Sequence, residues 1–135
     1  MSYRWIDHTA ELELEIEAPT ERAVFEQALR ALAELLTDEL PARPGKPQAF
    51  EVVLTGRDRA LLLADWLDEL VFRAETDSLL PQSVTRIDLD ERGLRALVSA
   101  IRADPRPLVK GVTHHRLSFD RAGEGSFRAR LVLDV

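Results

Sequence analysis

The feature that most constrains the fold is a strict alternation of acidic and apolar residues between Glu11 and Ala18. A period of two predicts a β-strand with one face in the core and the other face in water. The apolar set is Leu12, Leu14, Ile16 and Ala18, and the acidic set is Glu11, Glu13, Glu15 and Glu17. Because four carboxylates in a row repel one another, the acidic face needs water, arginines or a cation beside it.

The composition is that of a single domain with its own core. Of the 135 residues, 45% are hydrophobic and 31% are charged, and there is no cysteine, which excludes thiol nucleophiles and cysteine zinc sites. The apolar runs are too short to span a bilayer and no signal peptide precedes the acidic strand, so we expect a cytoplasmic protein without membrane partners. The net charge of −6 disfavours direct binding of RNA or DNA.

Apolar residues that recur every three or four positions predict two helices. Thr20 is the expected N-cap of the first helix and Asp58 that of the second. The first apolar stripe is Phe25, Ala28, Leu29, Leu32, Leu35 and Leu36, and the second is Leu63, Trp66, Leu67, Leu70, Val71 and Ala74. Prolines and a glycine predict a loop over residues 38–47, and Ser78 and Pro81 are expected to close the second helix.

The remaining segments are typical of β-structure. Residues 5–11 are expected to form a short polar turn before the acidic strand, and Gly93 ends a predicted hairpin turn. Further strands are predicted at residues 49–55, 84–90, 94–100, 109–120 and 126–135. Since each helix must pack its apolar stripe on a sheet, we predict an α+β fold with two long helices on a largely antiparallel sheet or pair of sheets, in one domain of residues 1–135.

The acidic strand and the last strand have complementary polar faces. If they pair antiparallel with Glu11 opposite Asp134, opposite charges meet at two further positions: Glu15 with Arg130, and Glu17 with Arg128. Each such cross-strand pair stabilises a sheet by about 0.2–1 kcal/mol. This register leaves only the end at Glu11 and Asp134 with two carboxylates and no arginine, an arrangement that costs energy unless a cation or a proton intervenes.

With the carboxylate of Val135, Glu11 and Asp134 would form a cluster of hard oxygen ligands. Hard oxygens suit Ca²⁺ or Mg²⁺ rather than Zn²⁺. The other interpretation is that both side chains are simply solvated, and the spacing alone favours it, because two carboxylates are a weak signal of a metal site.

The sequence contains three histidines and two lysines. His114 and His115 are neighbours in a predicted strand, so they would point to opposite faces and could not chelate one ion together. His8 is expected to order the polar turn by hydrogen bonding. Lys110 is a candidate contact to a phosphate or a partner, and the simpler interpretation is a lysine that protects the start of a strand. The sequence contains no nucleophile elbow, P-loop or helical Glu-x-x-His pair.

Five segments in this order resemble the archease family and span nearly the whole chain: WIDHTAE at residues 5–11, ALRALAELLTD at 28–38, LLADWLDELVFRAETDSLL at 62–80, VKGVTHHRLSF at 109–119 and LVLDV at 131–135. The resemblance implies a small α+β protein that is not an enzyme and that activates the RtcB-type RNA ligase in tRNA splicing and RNA repair. Such a protein promotes guanylylation of the ligase and its repeated turnover, and meets RNA only through the ligase.

The resemblance also implies site residues. A divalent metal, calcium in the family, would be bound through Glu11, Asp134 and Val135, and Lys110 with His8 would contact the ligase or its nucleotide. Glu11 stands where the family usually has aspartate, so its carboxylate reaches about 1.5 Å further. The family's usual alanine and tyrosine near that lysine are replaced by Gly111 and His114.

Two other functions stay open on the residues alone. A metal-dependent hydrolase would use Glu11 and Asp134, with His8 as general base. A chaperone-like interaction module would need no metal.

Overall fold

The computed structural model describes residues 1–37, 43 and 45–135. Within these residues the elements are β1 (Ser2–His8), β2 (Glu11–Ala18), α1 (Glu21–Leu36), β3 (Gln48–Thr55), α2 (Arg59–Asp77), β4 (Leu79–Asp90), β5 (Gly93–Arg102), β6 (Gly111–Arg121) and β7 (Phe127–Asp134). The predicted α+β fold with two long helices is therefore confirmed. The loop predicted at residues 38–47 falls mostly outside the described residues.

The strands form two antiparallel sheets. One has four strands in the order β1-β2-β7-β6, and the other has three in the order β3-β5-β4. Helix α1 packs against strands of both sheets, and α2 packs against β6, β3 and β4. At the centre, the indole Nε1 of Trp66 donates to the carbonyl oxygen of Phe25 at 3.0 Å, and both side chains are fully buried.

The alternation in β2 divides its side chains as predicted. Leu14, Ile16 and Ala18 are buried in the core, whereas Glu17 on the other face is exposed. The burial of this apolar face removes hydrocarbon from water and fixes which side of the sheet meets the helices. The acidic side chains consequently all lie on the face that points away from the core, called here the polar face of the four-stranded sheet.

Both predicted helix starts are confirmed. The Thr20 hydroxyl oxygen accepts from the Ala23 N–H at 3.0 Å, and an Asp58 carboxylate oxygen accepts from the Ala60 N–H at 2.9 Å. These caps satisfy backbone donors that have no partner within the helix. Helix α2 ends where predicted, with Ser78 in the left-handed region at φ 54°.

Two strand assignments were wrong. Residues 5–11 are not a polar turn, because Ser2–His8 pairs with β2 and leaves only two residues for the turn. Tyr3 and Trp5 hold β1 in place by packing against the core. In the other sheet, β4 begins at Leu79 rather than at residue 84, since Pro81 lies on an outer strand at a shift of register, where a missing N–H is tolerated.

A candidate cation and partner site at one end of the four-stranded sheet

Four residues form a row across one end of the four-stranded sheet. His8 of β1 lies opposite Glu11 of β2, Glu11 lies opposite Asp134 of β7, and Asp134 lies opposite Gly111 of β6. Directly opposed residues of antiparallel strands project to the same face. The two carboxylates therefore emerge side by side on the polar face, and Gly111 leaves open space at the β6 end of the row.

The other two predicted site residues are tied to this row through the backbone. The Val135 N–H donates to the carbonyl oxygen of Ala10 at 3.2 Å, and the Lys110 N–H donates to the carbonyl oxygen of Asp134 at 2.8 Å. Ala10 adopts a left-handed conformation, with φ 60°, in the turn between β1 and β2. All five residues singled out in the sequence thus meet at one end of the sheet, and the Lys110 side chain is exposed.

The predicted register of β2 and β7 is confirmed at every position that the sequence specified. Glu15 lies opposite Arg130 with an Nη2–Oε1 distance of 3.0 Å, and Glu17 lies opposite Arg128 with a corresponding ion pair of 3.6 Å. Sequence reasoning missed Arg4 of β1, which lies on the other side of Glu15 at 2.7 Å. The hydrogen bond from Arg4, with the charges of both arginines, lowers the pKa of Glu15.

The expectation that no arginine reaches the Glu11 end was wrong. Arg116 of β6 places its Nη2 3.1 Å from the Oε2 of Glu11 and its Nε 2.9 Å from the Oε1 of Glu13. A single guanidinium therefore holds two neighbouring carboxylates of β2. The cation that the pattern of charges required is, in this structure, supplied by the chain itself.

An irregularity in β6 brings Arg116 to this place. Thr113 pairs with Val132 and Ser118 pairs with Arg130, so five steps along β6 match two steps along β7. Arg116 lies within this bulge at φ 56°, a conformation that is uncommon for residues other than glycine. The sequence predicts one regular strand over residues 109–120, and the structure interrupts it here. His114 and His115 also lie in the bulge, so the prediction that their side chains point to opposite faces of a regular strand does not apply.

Glu13 is the buried member of the acidic row. Its side chain is 7% exposed, and its carboxylate lies near two guanidinium groups and an imidazole: Arg116 at 2.9 Å, Arg130 at 3.7 Å and His8 Nε2 at 3.8 Å. Val132, directly opposite, is also fully buried although it lies on the polar face. Since the sequence gives Glu13 the same neighbours as the other glutamates, no local signal marks it as buried.

Asp68 joins helix α2 to the outer strand beside Lys110. One of its carboxylate oxygens accepts from the Val112 N–H at 3.3 Å. Burial raises the pKa of Asp68, and the charge of Asp65 adds to this, while the bond from Val112 and the nearby His114 oppose it. Helix α2 consequently holds the segment that carries Lys110 in place through this hydrogen bond.

The residues of the row fit a hard divalent cation by their chemistry. Glu11 and Asp134 offer carboxylate oxygens at opposed positions of neighbouring strands, which is the donor type that Ca²⁺ takes. Within the described residues, no group of three or more His, Asp or Glu side chains could hold a metal ion, so further ligands would have to come from main-chain oxygens or water.

Neither described helix is long and apolar enough to cross a membrane.

The comparisons with known proteins agree with this architecture. The model of the Archease protein family matches residues 3–135. The archease of Methanothermobacter thermautotrophicus is 33% identical over 119 residues, or 83% of each chain, and that of Methanopyrus kandleri is 29% identical over the full length of both.

Two solved structures share the fold. The solution structure of Methanobacterium thermoautotrophicum protein 1598 is 30% identical, covers 98% of both chains and gives a TM-score of 0.73. The crystal structure of a Thermotoga maritima archease, described as a possible chaperone, is 22% identical with a TM-score of 0.63 over 96% of this chain and 94% of that one. Since the family model covers nearly all of the sequence, this chain belongs to the archease family.

Proposed function

We propose that this protein is a non-catalytic activator of an RtcB-type RNA ligase and that the end of the four-stranded sheet is its working site. The observation that carries the proposal is the row itself. His8, Glu11 and the far more distant Asp134, over a hundred positions further along the sequence, occupy directly opposed places on three strands. We expect the protein to act in the cytoplasm, during tRNA splicing and RNA repair, by promoting guanylylation of the ligase and its repeated turnover.

The proposed metal is calcium, held by Glu11, Asp134 and the main-chain oxygens of Val135. Binding there would place a divalent charge between Glu11 and Asp134, which face each other across β2 and β7. The backbone bond between Val135 and Ala10 supports this assignment, because it holds the end of β7 beside the turn that precedes Glu11. The longer side chain of Glu11, compared with the aspartate usual in the family, leaves the donor type unchanged.

The proposed partner surface consists of Lys110 and His8, on either side of the carboxylate pair. Lys110 is exposed, and His8 is 40% exposed at the other end of the row. A net charge of −6 suits encounter with a basic protein that handles RNA, because complementary charge accelerates association. RNA would be met only through the ligase.

The experiment combines the purified protein with its cognate ligase and labelled GTP, and measures guanylylation and multiple-turnover sealing. We expect Asp134→Ala to abolish the stimulation and Lys110→Ala to weaken it. The matched controls, Asp88→Ala and Lys46→Ala, remove the same charges from exposed positions outside the four-stranded sheet and should leave the stimulation intact.

Each alternative has its own outcome in this experiment. Absence of stimulation by the wild-type protein would refute the proposal. Undiminished stimulation by Asp134→Ala would favour an interaction module in which a metal has no role. Metal-dependent hydrolysis by the protein without the ligase would favour the hydrolase that uses Glu11, Asp134 and His8.

A further inference from the structure

Arg116 is paired with a carboxylate that the proposed cation site requires to be free. Its Nη2 lies 3.1 Å from Oε2 of Glu11, the metal ligand proposed on β2. Its Nε forms an ion pair with Glu13 at 2.9 Å, so the guanidinium contacts two neighbouring carboxylates of the acidic row. The carboxylate of Glu11 is thus engaged by a cation of the chain itself.

The two cations exclude each other for physical reasons. A guanidinium stays charged at all ordinary pH values, so it cannot give way to a metal ion by losing a proton. The carboxylate oxygen that accepts from Nη2 has less negative charge to offer an ion, and a divalent ion nearby would repel the guanidinium. An ion can use both oxygens of Glu11 only when Arg116 withdraws.

The conformation of Arg116 indicates that withdrawal is feasible. The residue lies in the β6 bulge at φ 56°, outside the regular pairing of β6 with β7. Its side chain is 36% exposed, so the guanidinium can move into water. Glu13 would keep Arg130 and His8 as neighbours after this movement, at 3.7 and 3.8 Å.

We propose that Arg116 determines the cation affinity of this site: it competes with the divalent ion for Glu11, and ion binding releases it from that carboxylate. The inference rests on the proposed function, because it concerns the same site. The ion must displace Arg116 from Glu11, so the site binds the divalent ion more weakly than Glu11 and Asp134 would without this arginine.

The first test is calorimetric titration with CaCl₂ of the wild-type protein, Arg116→Ala and Arg116→Gln, with folding checked by circular dichroism. Removal of the competitor should tighten calcium binding about 5-fold or more, the smallest factor typical of coupling between two binding events. Arg116→Gln keeps a polar side chain over buried Glu13 and loses the charge, so it gives the same readout if Arg116→Ala proves unstable.

Arg128→Ala is the matched control. It removes the same charge from the same face, but its partner Glu17 lies six residues further along β2, which is about 20 Å from Glu11 in an extended strand. At physiological salt the screening length is about 8 Å, so its calcium affinity should equal that of the wild-type protein.

The second readout is the nuclear magnetic resonance signal of the Arg116 Nε–H in the wild-type protein during the same titration. We expect it to shift with calcium, while the Nε–H signal of Arg128 stays in place. Equal affinities for wild-type protein and Arg116 variants, where Asp134→Ala abolishes binding, would overturn this inference alone. Failure of every variant, including the wild-type protein, to bind calcium would overturn it together with the metal part of the proposed function.

Discussion

The acidic row of β2 is neutralised in two different ways along its length. At Glu15 and Glu17, arginines come from the directly opposed positions of β7, at 3.0 and 3.6 Å, and Arg4 of β1 also lies directly opposite Glu15, at 2.7 Å. At Glu11 and Glu13, the principal arginine is Arg116, which comes from a bulge in a strand that does not pair with β2. Regular pairing thus serves one half of the strand, and a departure from it serves the other half.

The two halves also differ in burial. The Glu17 and Arg128 side chains are 52% and 62% exposed, whereas that of Glu13 is 7% exposed. Exposed ion pairs contribute little because water screens them, whereas a buried carboxylate that loses its partner is costly. Loss of an ion pair should therefore lower the free energy of unfolding more at the Glu13 end of β2 than at the Glu17 end. The Glu13 end is also the one that holds the candidate site.

The largest expected effect is the difference in stability between the Arg116→Ala and Arg128→Ala variants. Arg116→Ala should lower the free energy of unfolding by about 1–3 kcal/mol, because it removes the closest partner of buried Glu13. Arg128→Ala should lower it by about 0–1 kcal/mol. Urea unfolding followed by circular dichroism measures both. Similar losses for the two variants would show that burial does not distinguish the halves.

A charge swap in the exposed half should have a smaller effect. Glu17→Arg places like charges opposite each other and should cost about 0.2–1 kcal/mol. Adding Arg128→Glu restores opposite charges in the same register, so the double variant should regain most of that loss. If the losses of stability caused by Glu17→Arg and by Arg128→Glu simply add in the double variant, residues 17 and 128 do not interact. Regular cross-strand pairing would then not explain how this half of β2 is neutralised.

The smallest effect concerns the dependence of stability on pH. The bonds from Arg4 and Arg130 lower the pKa of Glu15 below its ordinary value of 4.5, so its ionised form is favoured in the folded state. The stabilisation is therefore present above the pKa of the unfolded chain and is lost as the pH falls through the lower pKa of the folded protein.

Comparison of the wild-type protein with Glu15→Gln tests this dependence. The wild-type advantage in unfolding free energy should be constant near neutral pH and should shrink as the solution is acidified below about pH 4.5. A control with Glu17→Gln corrects for the loss of a charge from the exposed end of the strand. An advantage that grows on acidification would contradict the assigned direction.

Local and pairwise patterns made much of the fold predictable. Thr20 and Asp58 carry their capping role in their own side chains, and the alternation in β2 with matching charges in β7 specified the register. The same register placed Glu11 opposite Asp134, so half of the candidate site followed from the sequence. These predictions succeeded because each depends on residues at fixed spacing within one or two elements.

Other features depend on the assembled structure. The bulge that contains Arg116 has no glycine or proline at that position to announce it, and only its pairing with β7 reveals the extra residues. Glu13 resembles its neighbours in sequence and is buried because of what packs over it. β1 was missed because Asp7, His8 and Thr9 gave its end the polarity of a turn, although Tyr3 and Trp5 alternate like a strand.

The bulge has a further consequence, for aggregation. β6 is an outer strand of its sheet, and a long regular outer strand presents free N–H and C=O groups that can template pairing with another chain. In β6 the bulge interrupts that regularity, and the Asp68 carboxylate accepts the N–H of Val112 beside it. The irregularity that brings Arg116 to Glu11 therefore also protects this edge against the addition of a foreign strand.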